Sequence, residues 1–77
     1  MDTIEAKKDQ FLKLLGEQTN WDEHSYEKIH QIGAELGWTS ADTDLLAREL
    51  DSEGLLNLQR GGFASLTPAG RTRARSA

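Results

Sequence analysis

A chain of 77 residues with 36% apolar residues, 29% charged residues and a net charge of −4 has material for one small core, and a deep catalytic cleft is not expected. It contains no cysteine, which excludes disulfides and thiolate metal sites. No apolar run approaches the roughly 20 residues that span a bilayer, and Met1–Glu5 lacks the basic start and apolar stretch of a signal peptide, so a cytoplasmic protein without membrane contact is expected.

The spacing of Ile4, Phe11, Leu14 and Leu15 predicts a first helix over residues 3–15, with Lys7, Lys8 and Lys13 mostly off its apolar stripe. Gly16 is the expected stop. A second helix is expected over about 22–36, with Asn20, Asp22 or Ser25 as its cap. Ile29, Ile32, Gly33 and Leu36 mark its buried face, with Tyr26 one turn earlier. A glycine inside a helix costs about 1 kcal/mol against alanine, so Gly33 implies close packing on another helix. Gly37 suits the left-handed position past the helix end.

Thr39-Ser40-Ala41-Asp42 then reads as a capping box, with Thr39 or Ser40 as cap, opening a third helix over about 40–53. Its inner stripe is Thr43, Leu46, Ala47 and Leu50, and Gly54 ends it. Two strands follow, at about 55–60 and 64–67. A two-residue Gly61-Gly62 turn would set Leu66 on the face of Asn57 and Gln59. A three-residue loop, Gly61 to Phe63, pairs Leu58 with Leu66 and is preferred, because register follows the apolar face. Phe63 then stands at the hairpin tip, where it anchors in a partner, folds back, or is a tolerated exposed apolar residue. Thr67-Pro68 reads as a capped helix start, with a short helical turn or tail over 68–77. Trp21 and Trp38, which flank the second helix, are expected at the edge of the core rather than as a binding platform.

Charge divides unevenly. Residues 1–54 hold all thirteen acids and five bases, a net −8, whereas residues 55–77 hold Arg60, Arg71, Arg73 and Arg75 and no acid, a net +4. Such a split suits contact with nucleic acid or with an acidic partner, and equally suits plain solubility.

Helix, turn, helix and a glycine-tipped hairpin is the order of a winged helix. The segment from Ile29 to Ser40 resembles the first helix and turn of bacterial winged helix-turn-helix regulators. Leu50 to Leu56 resembles the end of their recognition helix, and Leu66 to Arg71 their usual exit from the wing. The resemblance covers about residues 25–71. It implies an α+β winged-helix fold: a three-helix core, a two-stranded antiparallel wing and a short C-terminal turn. It also implies a transcription regulator whose third helix enters the major groove of double-stranded DNA while the wing follows the phosphates.

Carried over by position, the groove-facing residues are Ser40, Ala41, Asp42, Asp44, Leu45, Arg48 and Glu49. Arg48 offers the bidentate contact to guanine, or pairs with Asp44 one turn back. Asp42 and Asp44 would be repelled by phosphate, although acids in a first turn also favour the helix dipole. Arg60 beside Gly61 and Gly62, with Arg71, Arg73 and Arg75, would meet the backbone. Four such contacts give a log–log salt slope of about −3.6, and a homodimer would double them. The rival expectation is a protein-interaction module that presents Asp42, Asp44, Glu49 and Phe63 to a partner.

Catalysis is not expected. His24, Glu27 and His30 are three residues apart, so on one helix they would not converge on a metal. Neither a phosphate loop nor a nucleophile elbow is present, Ser25, Ser40 and Ser65 have no evident base, and no cofactor is implied.

Overall fold

The computed structural model describes residues 3–22 and 24–76. Its elements are α1 (Ile4–Gln18), β1 (Glu27–Lys28), α2 (Ile29–Glu35), α3 (Ser40–Ser52), β2 (Leu56–Gln59), β3 (Phe63–Leu66) and α4 (Pro68–Ser76). The described residues form an α+β arrangement, with four helices and an antiparallel sheet of order β1-β3-β2.

Three helices end by one device. The residue after the C-cap turns left-handed, and the next N–H bonds back to a carbonyl five residues earlier. In α2 the turning residue is Gly37 (φ 78°), and Trp38 N donates to Gly33 O at 2.8 Å. In α3 it is Gly54 (φ 76°), and Leu55 N donates to Leu50 O at 2.9 Å. Both endings were expected from the glycines. In α1 the turning residue is Asn20 (φ 55°), followed by Trp21 at φ 60°, and Trp21 N donates to Gly16 O at 2.7 Å. Helix α1 therefore runs past the expected stop at Gly16. That glycine is buried inside the last turn with the Trp21 indole lying on it, where a Cβ would come within 2.3 Å of the ring.

The α1 stripe also differs from expectation. Phe11 and Leu15 are fully buried, as is Leu12, but Ile4 is 53% exposed and Lys8 is buried. The stripe is simply longer than the surface that covers it, so its first residue projects past the core.

The second helix begins at Ile29, not near residue 22, because residues 27 and 28 are extended and pair with Ala64 and Phe63 of β3. Joining the sheet satisfies their backbone groups, as a helix would have done. None of the three expected caps is used. Lys28 occupies the cap position without a side-chain bond, and Asp22 instead holds a local turn, accepting from His24 N at 2.9 Å and Ser25 Oγ at 3.2 Å. Tyr26, expected on the buried face, is 42% exposed. Gly33 does pack against α3: a Cβ there would lie 2.0 Å from Thr43 Oγ1.

Helix α3 follows expectation. Thr39 caps it by accepting from Asp42 N at 3.2 Å, and Thr43, Leu46, Ala47 and Leu50 are all buried. Together with the α1 residues, Ile29, Ile32, Leu56, Ala64 and Leu66 they form the core, and Trp21 and Trp38 pack at its edge.

The hairpin pairs Leu56 with Leu66, Leu58 with Ala64 and Gln59 with Phe63. The loop is thus Arg60-Gly61-Gly62, one residue earlier than expected. Leu58 faces Ala64 rather than Leu66, and β3 covers 63–66 rather than 64–67. The apolar face is the expected one, because a two-residue slip preserves side-chain parity. Phe63 is accordingly the first residue of β3, not the tip. It is 38% exposed, with Lys28 Nζ 5.8 Å from its ring centroid.

The expected C-terminal turn is a full helix. Thr67 Oγ1 accepts from Gly70 N at 3.1 Å and donates to Gly54 O at 2.6 Å, which ties the start of α4 to the end of α3. Gly70 and Ala74 are buried, and α4 lies along α1. The last expected tail residue, Ala77, lies outside the described residues.

Candidate interaction surface

Turning Thr43, Leu46, Ala47 and Leu50 inward commits the opposite face of α3 to solvent. Ser40, Ala41, Asp42, Arg48 and Glu49 are exposed there, Asp44 is half-buried, and Leu45 is 65% exposed at the centre. Asp44 does not pair with Arg48. Its Oδ1 lies 3.0 Å from His30 Nε2, which joins α2 to α3. Among the described residues Arg48 and Arg60 make no ion pair, nor does Asp42.

Beside this face runs a groove of about 270 Å³ between the start of α1 and α3, lined by Ile4, Lys7, Trp38, Asp42, Leu45, Leu46 and Glu49. The sequence does not reveal it, because Ile4 fits the α1 stripe and is expected in the core. A first-turn residue at the end of a stripe has no preceding turn beside it, and that is the signal the sequence holds. Trp38 lines the groove and is stacked on Phe11 with ring centroids 5.9 Å apart.

The tail arginines do not form a free basic arm. On α4, Arg73 donates from Nε to Asp9 at 2.8 Å and from Nη2 to Glu5, and its Nη1 lies 3.8 Å from Glu53. Lys8 donates to Glu53 and lies 3.8 Å from Glu5 and 3.9 Å from Glu49. Two cations and four carboxylates thus join α1, α4 and the end of α3. Arg71 Nη1 donates to Trp21 O at 3.3 Å, and the Arg75 guanidinium stands 5.6 Å from the Trp21 ring centroid. The heads of all three tail arginines thus find partners within the chain. Only Arg60, in the loop with Gly61 and Gly62, keeps the placement expected of a backbone contact.

This cluster sets a pH dependence. The Arg73 guanidinium hydrogen-bonded to Glu5, with Lys8 nearby, lowers the Glu5 carboxyl from its ordinary 4.5. The hydrogen bond to Glu53 raises Lys8, and those to Asp9 and Glu5 raise Arg73. A lowered carboxyl contributes stability that is fully present above its unfolded pKa and is lost as pH falls through the folded value. Glu5→Gln is therefore expected to lower the unfolding midpoint near neutral pH, and the difference should close as both proteins are taken well below pH 4.5. Thermal unfolding across pH checks this, and a pH-independent difference would contradict it.

His24, Glu27 and His30 do not share a helix: they fall in a turn, in β1 and in α2. Among the described residues no set of three histidines or carboxylates is arranged to hold a metal ion, and no helix is long and apolar enough to cross a membrane. No protein-family model, curated protein or solved structure matches the chain.

Proposed function

We propose that this chain is a winged-helix binding module that recognises a protein, rather than DNA, through the outer face of α3. The element order supports the winged-helix reading: α2 and α3 are joined by a short glycine turn, and α3 is followed by the β2–β3 hairpin. One observation carries the choice of ligand. Three of the four arginines expected at phosphate are engaged within the chain, while α3 presents the exposed Asp42 and Glu49 beside an exposed leucine. A polyanion meeting that face would be repelled. A protein surface would be offered an apolar anchor point with charges around it, the usual layout of a recognition patch.

Amide-shift titration with mixed-sequence duplex DNA, at low and at physiological salt, tests the choice. With Arg48 on α3 and Arg60 in the hairpin loop making no ion pair among the described residues, two phosphate contacts from them give a log–log salt slope of only about −1.8. Weak shifts near Arg60 that vanish at physiological salt are the expected result. Saturable binding at physiological salt, with shifts at Ser40, Leu45 and Arg48 that Arg48→Ala removes, would overturn the proposal in favour of groove reading.

A further inference from the structure

We infer that the groove between α1 and α3 receives a basic amphipathic helix: an apolar anchor enters between Ile4, Trp38 and Leu45, and flanking cations pair with Asp42 and Glu49. This rests on the protein-binding reading above and names the chemistry of the partner.

Size comes first. The groove measures about 270 Å³. A cavity of about 150 Å³ already holds benzene, so the groove takes a large aromatic side chain or a pair of aliphatic ones. That is enough for the anchors of a helix and too little for a folded partner's core. Ile4 and Leu45 form its lips, 53% and 65% exposed. Each leaves most of its apolar surface in water until something covers it.

Charge narrows the occupant. Asp42 and Glu49 stand on either side of Leu45, seven residues apart on α3, or about 10.5 Å along the helix axis. Asp42 makes no ion pair among the described residues, and Glu49 is 57% exposed with only the 3.9 Å approach of Lys8. An incoming helix has the same pitch. Cations seven residues apart on it would match the two carboxylates, with the residues three and four along pointing at Leu45 and the groove. Lys7 is the one cation on the rim. A second copy of this chain fits poorly, because it would bring another acidic α3 face and another net charge of −4 against the first.

The probe is a synthetic helix-forming peptide with lysines seven residues apart and leucine and phenylalanine between them, together with a twin carrying glutamates in place of the lysines. The lysine peptide is expected to bind wild-type protein, with amide shifts at Ile4, Trp38 and Leu45. Asp42→Lys with Glu49→Lys should weaken it about tenfold or more and should let the glutamate twin bind instead. Asp42→Asn with Glu49→Gln keeps side-chain size, guards against a folding defect, and should weaken the lysine peptide alone. Leu45→Ala, at an exposed position, should abolish both complexes. Equal binding of the two peptides, or shifts away from the groove, would overturn the inference. So would concentration-dependent shifts at Ile4 and Leu45 in the protein alone, which would assign the groove to a second copy. Failure of the peptides with α3 still silent toward DNA removes this partner and leaves the protein-binding reading standing; DNA shifts on α3 at physiological salt remove both.

Discussion

Phe11→Ala is expected to destabilise the protein by about 3–5 kcal/mol. Phe11 is fully buried in α1, and its ring stacks on Trp38 with an interplanar angle of 14°. Truncation removes the largest apolar side chain of the core and leaves a cavity that a helix held at both ends cannot close. It also removes an aromatic pair worth about 0.5–1.5 kcal/mol beyond its area. Domains are stable by roughly 0.05–0.15 kcal/mol per residue, so the loss takes a large share of what a 77-residue chain has. Urea unfolding followed by circular dichroism measures it, and a loss below about 1 kcal/mol would mean that the α1–Trp38 packing is not as described. Because Trp38 lines the groove, this variant should also blunt peptide binding even where it remains folded.

Gly70→Ala is expected to destabilise, although helix propensity alone argues the reverse. Within a helix alanine is favoured over glycine by about 1 kcal/mol. At Gly70, however, an added Cβ would lie 1.7 Å from the carbonyl oxygen of Leu55. That neighbour is backbone at the entry to β2 and has no rotamer through which to retreat. Accommodating the methyl means pushing α4 off the hairpin, which strains the Thr67 hydroxyl bonds to Gly70 N and Gly54 O. Overpacking of this kind costs about 1–3 kcal/mol, and each kcal/mol lowers the midpoint by roughly 4–8 °C in a domain of this size. A thermal scan decides the sign, and a raised midpoint would show that α4 does not dock there. Loosened α4 should also release Arg71, Arg73 and Arg75 from their partners, so a gain in salt-sensitive DNA affinity is expected to accompany the loss of stability.

That second variant marks where local reading stops. Gly70 sits in a stretch that looks like a frayed tail, since Arg71, Thr72, Arg73 and Arg75 are polar and only small residues lie between them. Its helix exists because α1 presents Glu5 and Asp9 to Arg73, and because two small residues, Gly70 and Ala74, allow close approach. Neither partner is near in sequence. The same holds for β1. Residues 27 and 28 carry a helical pattern into Ile29, yet they are extended because β3, more than thirty residues on, has a free edge to pair with.

The sequence by itself determined whatever rests on neighbours within a turn or two. Helix α3 was legible down to its Thr39 cap and its four buried residues, because capping and 3.6-residue periodicity are local. The endings at Gly37 and Gly54 and the Thr67-Pro68 start were legible for the same reason, and the inward face of the hairpin followed from alternation. Only the tertiary structure decided the rest: the strand that replaced the start of the second helix, the two-residue offset of the hairpin, and the exposure of Ile4. It also decided the fate of the tail arginines. Net charge counts them as a basic patch, but an arginine is free to meet a ligand only if no carboxylate, carbonyl or ring of its own chain reaches it first, and that depends on which helices lie side by side.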